Sequence, residues 1–122
     1  MAPRTGLIVD DSVSLRQMLA YTLSQAGFTV LEAGNGEEGL RVLDGRRVDL
    51  IITDLNMPVM DGIAFIRALR GRTATRFTPV LMLTTESQPA KKAEGKSAGA
   101  TGWIVKPFRP DQLLDTIRRV LP

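Results

Sequence analysis

Leu50-Ile51-Ile52-Thr53-Asp54-Leu55-Asn56-Met57-Pro58 is a short apolar run that stops abruptly at a carboxylate. Leu50 to Ile52 are apolar and mostly β-branched, which suits a strand buried on both faces of a parallel sheet. Pro58 and the pair Asp61-Gly62 mark a loop just beyond. In open α/β sheets, ligands bind off the carboxyl ends of the strands. A carboxylate at that point can hold a metal, act as a nucleophile or cap the next turn, and Asp54 alone does not choose among these roles.

The same pattern extends to either side. Gly6-Leu7-Ile8-Val9 predicts a first strand that ends at Asp10-Asp11. Ser12 can cap the following helix, with Leu15, Leu19, Leu23 and Ala26 on one face and Gly27 at its end. Phe28-Thr29-Val30-Leu31 opens a second strand running to Ala33. Asn35-Gly36-Glu37-Glu38 then has the form of a capping box, before a helix that carries Leu40 and Leu43 and closes near Gly45. After Asp54 a helix opens near Gly62, turns Ile63, Ile66 and Leu69 inward and stops at Gly71. A basic loop, Arg72 to Pro79, leads to Val80-Leu81-Met82-Leu83, a fourth strand ending at Thr84-Thr85-Glu86. Pro89 suits the first turn of the next helix, whose interior Gly95 predicts low intrinsic stability. Gly102-Trp103-Ile104-Val105 is a fifth strand ending at Lys106-Pro107. Pro110 and Asp111 start a last helix with Leu113, Ile117 and Val120 toward the core. Five strand–helix units with no linker, repeat or low-complexity tract predict an α/β fold. It is a doubly wound parallel sheet with right-handed crossovers, strand order 2-1-3-4-5, and one domain over residues 1–122.

Composition excludes whole classes of function. The 122 residues are 43% hydrophobic and 24% charged, which provides a core and argues against disorder. There is no cysteine and no histidine, so disulfides, thiolate or imidazole metal sites and His-based acid–base catalysis are ruled out. Met1-Ala2-Pro3-Arg4-Thr5-Gly6 is not a signal peptide, and no apolar stretch reaches membrane-spanning length, so a cytoplasmic protein without membrane association is expected. The net charge of +3 is spread over several segments with no nucleic-acid-binding signature. An acidic protein partner is the expected use of that charge, and nucleic acid is not.

The strand ends carry the chemistry. Strand one presents Asp10 and Asp11, strand three Asp54, strand four Thr84 and strand five Lys106. In the predicted order these strands are neighbours, so the five side chains can converge on one shallow site. Two carboxylates about 5 Å apart repel by roughly 3 kcal/mol at an effective dielectric near 20. Three of them need cations, or one must take up a proton, and removing one charge, as in Asp54→Asn, is expected to stabilise the metal-free protein. Lys106 supplies one positive charge and a hard divalent ion such as Mg²⁺ would supply more. Acids, one Lys and one Thr hydroxyl suit phosphoryl chemistry, in which a carboxylate attacks phosphorus and cations neutralise its oxygens.

With Asp10-Asp11, Asp54-Leu55-Asn56-Met57-Pro58, Asp61-Gly62, Thr84 and Lys106-Pro107-Phe108 in order, the chain from Leu7 to Leu121 resembles the receiver domain of bacterial two-component response regulators. The resemblance implies the flavodoxin-like architecture and a phosphoryl group accepted on Asp54 from a histidine kinase. It implies Mg²⁺ held by Asp11, Asp54 and the Asn56 carbonyl, with Asp10 acting through water. Lys106 would pair with the phosphoryl oxygens, Thr84 would swing toward them, and the bond before Pro107 would be cis. Three residues before Lys106 the family usually has Tyr or Phe. Here Trp103 stands there, a larger ring with an N–H that bears on how far it can turn inward.

No effector domain follows Leu121-Pro122, so the expected receiver is a monomer that signals by docking. In the proteins it resembles, the docking face comprises helix four, strand five and helix five, which here would present Lys91, Lys92, Lys96 and Trp103. Thr84-Thr85-Glu86-Ser87-Gln88-Pro89 with Lys91-Lys92, together with Asn56 and Glu86, is similar to the chemotaxis-type CheY proteins. These features imply a chemotaxis regulator that docks to the flagellar motor switch or another protein, with a phosphatase as a further partner. A phosphorelay intermediate or phosphate sink is the alternative. An aspartyl-phosphate phosphatase is more remote, because that class usually places an acid where Asn56 stands. The chain is therefore not expected to be an enzyme beyond its own phosphorylation and dephosphorylation.

Overall fold

The computed structural model describes residues 4–85 and 89–121. Glu86, Ser87 and Gln88 of the chemotaxis-like segment, Met1 to Pro3 and the terminal Pro122 lie outside the described residues. The elements are β1 (Thr5–Val9), α1 (Val13–Gln25), β2 (Thr29–Ala33), α2 (Gly36–Val42), β3 (Leu50–Asp54), α3 (Gly62–Arg70), β4 (Val80–Thr85), α4 (Pro89–Ala98), β5 (Gly102–Lys106) and α5 (Pro110–Val120). The five strands are parallel in the order β2-β1-β3-β4-β5, as predicted.

Side chains alternate across the sheet and divide the core in two. Leu7, Val9, Ile51, Val80 and Met82 face α2 and α3, where Leu43, Ile63, Phe65, Ile66 and Leu69 meet them. Ile8, Leu50, Ile52, Leu81, Leu83 and Ile104 face α1 and α5, represented by Leu19, Leu23, Leu113 and Ile117. Every residue of β3 is buried, as the continuous apolar run required. Phe65 joins Ile63, Ile66 and Leu69 in the buried stripe of α3, which is therefore wider than the spacing of the aliphatic residues alone indicated.

The helix starts follow their side chains. Ser12 Oγ accepts the Leu15 N–H, Asn35 Oδ1 the Glu38 N–H and Asp61 Oδ1 the Ala64 N–H. At α2 the Glu38 carboxylate reaches back to the Gly34 N–H at 3.0 Å, one residue before the cap, so the box is closed one position early. Ala26 is exposed at the C-cap of α1 instead of joining its apolar face, because the helix ends at Gln25 and Gly27 turns the chain at φ 96°. Gly95, read from sequence only as a weak point, is the buried residue of α4. A Cβ there would come within 2.6 Å of Met82 Cε, so a larger residue would have to displace the end of the Met82 side chain.

Candidate functional site

The ladder register assembles the site. Val9 pairs with Thr53, which puts Asp10 beside Asp54, and Asp54 pairs with Leu83, which puts Thr84 one residue beyond it on the other side. Thr85 in turn pairs with Lys106. Asp54 is buried, and its Oδ1 accepts two hydrogen bonds, from the Leu55 N–H at 2.9 Å and from Lys106 Nζ at 2.9 Å. That ion pair is only partly open to water, so it is screened less than a surface pair.

Asp10 is fully buried and Asp11 is exposed. One Asp10 oxygen accepts the Ser12 N–H at 2.8 Å, while Oδ2 is buried without a partner among the described residues. Burial pushes the Asp10 pKa up. The Ser12 hydrogen bond lowers it, Asp54 raises it, Lys106 lowers it and Asp11 raises it. One oxygen each from Asp10, Asp11 and Asp54 lies within 4.8 Å of the others. Three hard oxygen donors around an unsatisfied buried oxygen fit a hard divalent cation, so the cluster could hold a metal ion.

Thr84 is buried at its strand end, with its hydroxyl hydrogen-bonded to the Thr85 carbonyl at 3.4 Å. Asn56 is exposed in the loop after β3, and the Lys106–Pro107 bond is cis. The next-but-two residue of that loop, Val59, holds φ 69°, an uncommon conformation for a β-branched residue. Trp103, paired with Met82, packs on the α2/α3 side of the sheet, half-buried. The ammonium group of Lys92 lies 4.8 Å from the centre of its ring. Lys91 pairs with Glu94 at 3.3 Å, Glu94 also lies 3.9 Å from Arg67, and Lys96 is exposed. The structure thus brings together Asp10, Asp11, Asp54 and Lys106, keeps Thr84 on the adjoining strand end, and places Trp103 and the lysines on a separate face.

Two supports of the site were not read from sequence. Arg16 donates to the Asp10 carbonyl at 2.7 Å and pairs with Glu32 at 3.1 Å, fixing the turn that carries both acids. Its position on α1 carried no signal, because its partners are a backbone oxygen and a residue of another strand. Gly62, read as half of a turn signal, begins α3 directly against the end of β3. A Cβ on it would collide with the Asp54 carbonyl oxygen and come within 3.0 Å of Leu55 Cα.

The family profile described as the response regulator receiver domain matches residues 7–118. The chain belongs to that family. It is 38% identical over 117 residues to the chemotaxis protein CheY1 of Helicobacter pylori, covering 94% of each chain. It is also 37% identical over 121 residues to the phosphate regulon transcriptional regulatory protein PhoB of Pseudomonas aeruginosa, covering 99% of this chain but only 53% of that one. Among solved structures, the chemotaxis protein CheY4 of Vibrio cholerae superposes with a TM-score of 0.93 at 53% identity, covering 98% of this chain and 100% of that one. This receiver is therefore CheY-like in fold, and it spans about half the length of its PhoB relative. Signalling by a receiver depends on its phosphorylation, and a histidine kinase is the donor class that the family implies. No helix among the described residues is long and apolar enough to cross a membrane.

Proposed function

We propose that Asp54 is the phosphoryl acceptor of this receiver, and that the phosphorylated chain signals by docking its α4–β5–α5 face to a partner protein. One observation carries the reading. The Asp54 carboxylate sits at a strand end where Lys106 touches it at 2.9 Å and two further carboxylates offer oxygens within 4.8 Å. Both hydrogen bonds to Asp54 fall on Oδ1, which leaves Oδ2 as the attacking oxygen. That oxygen forms the bond to phosphorus, the phosphorus–nitrogen bond of the phosphohistidine breaks, and its electron pair returns to the imidazole. Lys106 exchanges its carboxylate partner for a phosphoryl oxygen, and the Thr84 hydroxyl leaves the Thr85 carbonyl for another.

Asp10, Asp11, Asp54 and the Asn56 carbonyl would hold Mg²⁺, which when bound supplies positive charge against the phosphoryl oxygens. Asn56 replaces the second acid that a phosphatase would need, so the chain acts on its own aspartyl phosphate and not as an enzyme on external esters. Relatives named as chemotaxis proteins support a chemotaxis role; a cytoplasmic location and the flagellar motor switch as docking partner belong to the same proposal.

Acetyl phosphate with Mg²⁺, followed by intact-mass measurement, tests the acceptor. One phosphoryl adduct is expected on the wild type and none on Asp54→Asn. Lys106→Ala should retain metal binding and lose most of the signalling response. An adduct on Asp54→Asn would place the acceptor elsewhere.

A further inference from the structure

The loop between α3 and β4, residues 71–79, lies at the amino-terminal edge of the sheet, the edge opposite the acidic cluster. Its backbone is held in place by a neighbour. Arg70, the last residue of α3, donates to the carbonyls of Thr75 at 2.9 Å, Arg76 at 3.0 Å and Thr78 at 2.7 Å. The same guanidinium donates twice to the Gly99 carbonyl just past α4, at 3.1 and 2.8 Å. Thr75 is buried, and its hydroxyl donates to the Leu69 carbonyl at 2.6 Å. A loop fastened in this way presents a pre-set backbone. It displays Phe77, which at 88% exposure is the most exposed large hydrophobic side chain among the described residues. A Phe left in water forgoes the stabilisation that burying its ring would bring.

The surroundings of that ring mix apolar side chains with arginines. Phe77 lines a cavity of about 340 Å³ together with Val48, Pro79 and Arg47. The Arg76 guanidinium lies 5.9 Å from the ring centroid. Asp49 is the acid lining the cavity, and its carboxylate is engaged by the Thr5 N–H at 2.8 Å. An aromatic side chain beside arginines is the composition found at binding hot spots, and a pre-ordered loop backbone lowers the entropic cost of association.

We propose that this amino-terminal edge is a second docking surface, one that takes an acidic peptide segment of a partner protein. An apolar side chain of the segment packs on Phe77, Val48 and Pro79, and its carboxylates meet Arg47 and Arg76. A cavity of this size takes one or two side chains. Single-stranded nucleic acid is gripped by successive aromatic platforms along a basic track, whereas here one ring stands alone. Simple attraction to phosphates would have no use for the ring at all.

A selection from a library of random peptides, about 12 residues long, displayed against the full chain tests this. The enriched sequences should combine net negative charge with an apolar residue and bind the wild type about ten-fold more tightly than Phe77→Ala. The Arg47→Ala/Arg76→Ala double variant should bind them with a comparable loss, and the wild-type affinity should fall several-fold as salt rises from about 50 to 300 mM. Amide shifts on peptide addition should cluster at residues 47–49 and 73–79. Phe77→Ala should melt with the wild type and accept phosphoryl groups from acetyl phosphate equally well, since its ring is outside the core and the acidic site. Enriched peptides that bind Phe77→Ala as tightly as the wild type, or a selection with no binder at these residues, would overturn the proposal. So would an oligothymidylate or phosphatidylserine vesicles binding more tightly than the peptides with the same dependence on Phe77 and the two arginines.

Discussion

Asp10 and Asp54 both end buried strands, but they are satisfied differently. Asp54 has Lys106 and the Leu55 N–H on one oxygen. Asp10 has one backbone donor, and its Oδ2 has none among the described residues. The cost of the crowded acids therefore falls on Asp10 and not, as sequence alone suggested, equally on Asp54, where a neutral side chain would leave Lys106 without its partner. The pH dependence follows. The folded pKa of Asp10 is raised above the ordinary 3.8, mainly by burial, so the fold holds this proton more tightly than the unfolded chain does. Its contribution to stability is fully present below about 3.8 and is lost as pH rises through the raised folded pKa. Asp10→Asn should therefore resist urea better than the wild type in EDTA at pH 7, with an advantage that shrinks as pH falls toward 4. A less stable Asp10→Asn at pH 7 without metal would show that the acids are not the source of the strain.

At the scale of elements, α3 decides how firmly Asp54 is placed. Its cap, Asp61, sets the start, and Gly62 lets its first turn press against the backbone of Asp54 and Leu55. Alanine normally favours a helix over glycine by about 1 kcal/mol. Here the added methyl meets main chain, which has no rotamer to move. Gly62→Ala should thus destabilise the protein by roughly 2–3 kcal/mol, and it should slow phosphorylation of Asp54 even where the protein remains folded. Gly71→Ala, at the other end of the helix, is the control. Its Cβ would meet nothing closer than the Ala68 carbonyl at 3.6 Å, and the change should be nearly neutral. Equal urea midpoints for the two variants would mean that α3 does not bear on the strand end.

Across the whole molecule, the site and the proposed output face are joined through β4 and β5. Thr84 pairs with Val105, and Met82, two residues back, pairs with Trp103. The indole is half-buried with the Lys92 ammonium 4.8 Å from its centre, and it stands on the face of β5 away from Lys106. As the single Trp of the chain it reports this region alone. Mg²⁺ by itself should change its fluorescence little. Beryllofluoride with Mg²⁺ should draw the Thr84 hydroxyl away from the Thr85 carbonyl and move the emission to shorter wavelength as the ring leaves water. Thr84→Ala should weaken that shift and Asp54→Asn should abolish it. Bound beryllofluoride with no spectral change would mean that the signal leaves the site by another route.

The periodicity of five apolar runs and the carboxylate, hydroxyl and amine at their ends were legible in the chain, because strand alternation and strand-end placement are local properties. So were the caps at Ser12 and Asn35, where the hydrogen bond spans three residues; Asp61, read only as part of a turn signal, proves to cap α3 in the same way. What local pattern could not show were contacts between distant segments. Gly62 and Gly95 look like a turn and a weak helix until β3 and β4 are laid against them. Arg16 and Arg70 look like surface charges until their partners prove to be carbonyls that the fold brings to them. The division of labour between Asp10 and Asp54 depends on which oxygen a lysine 52 positions away can reach, and that is set by strand register, which only the folded sheet decides.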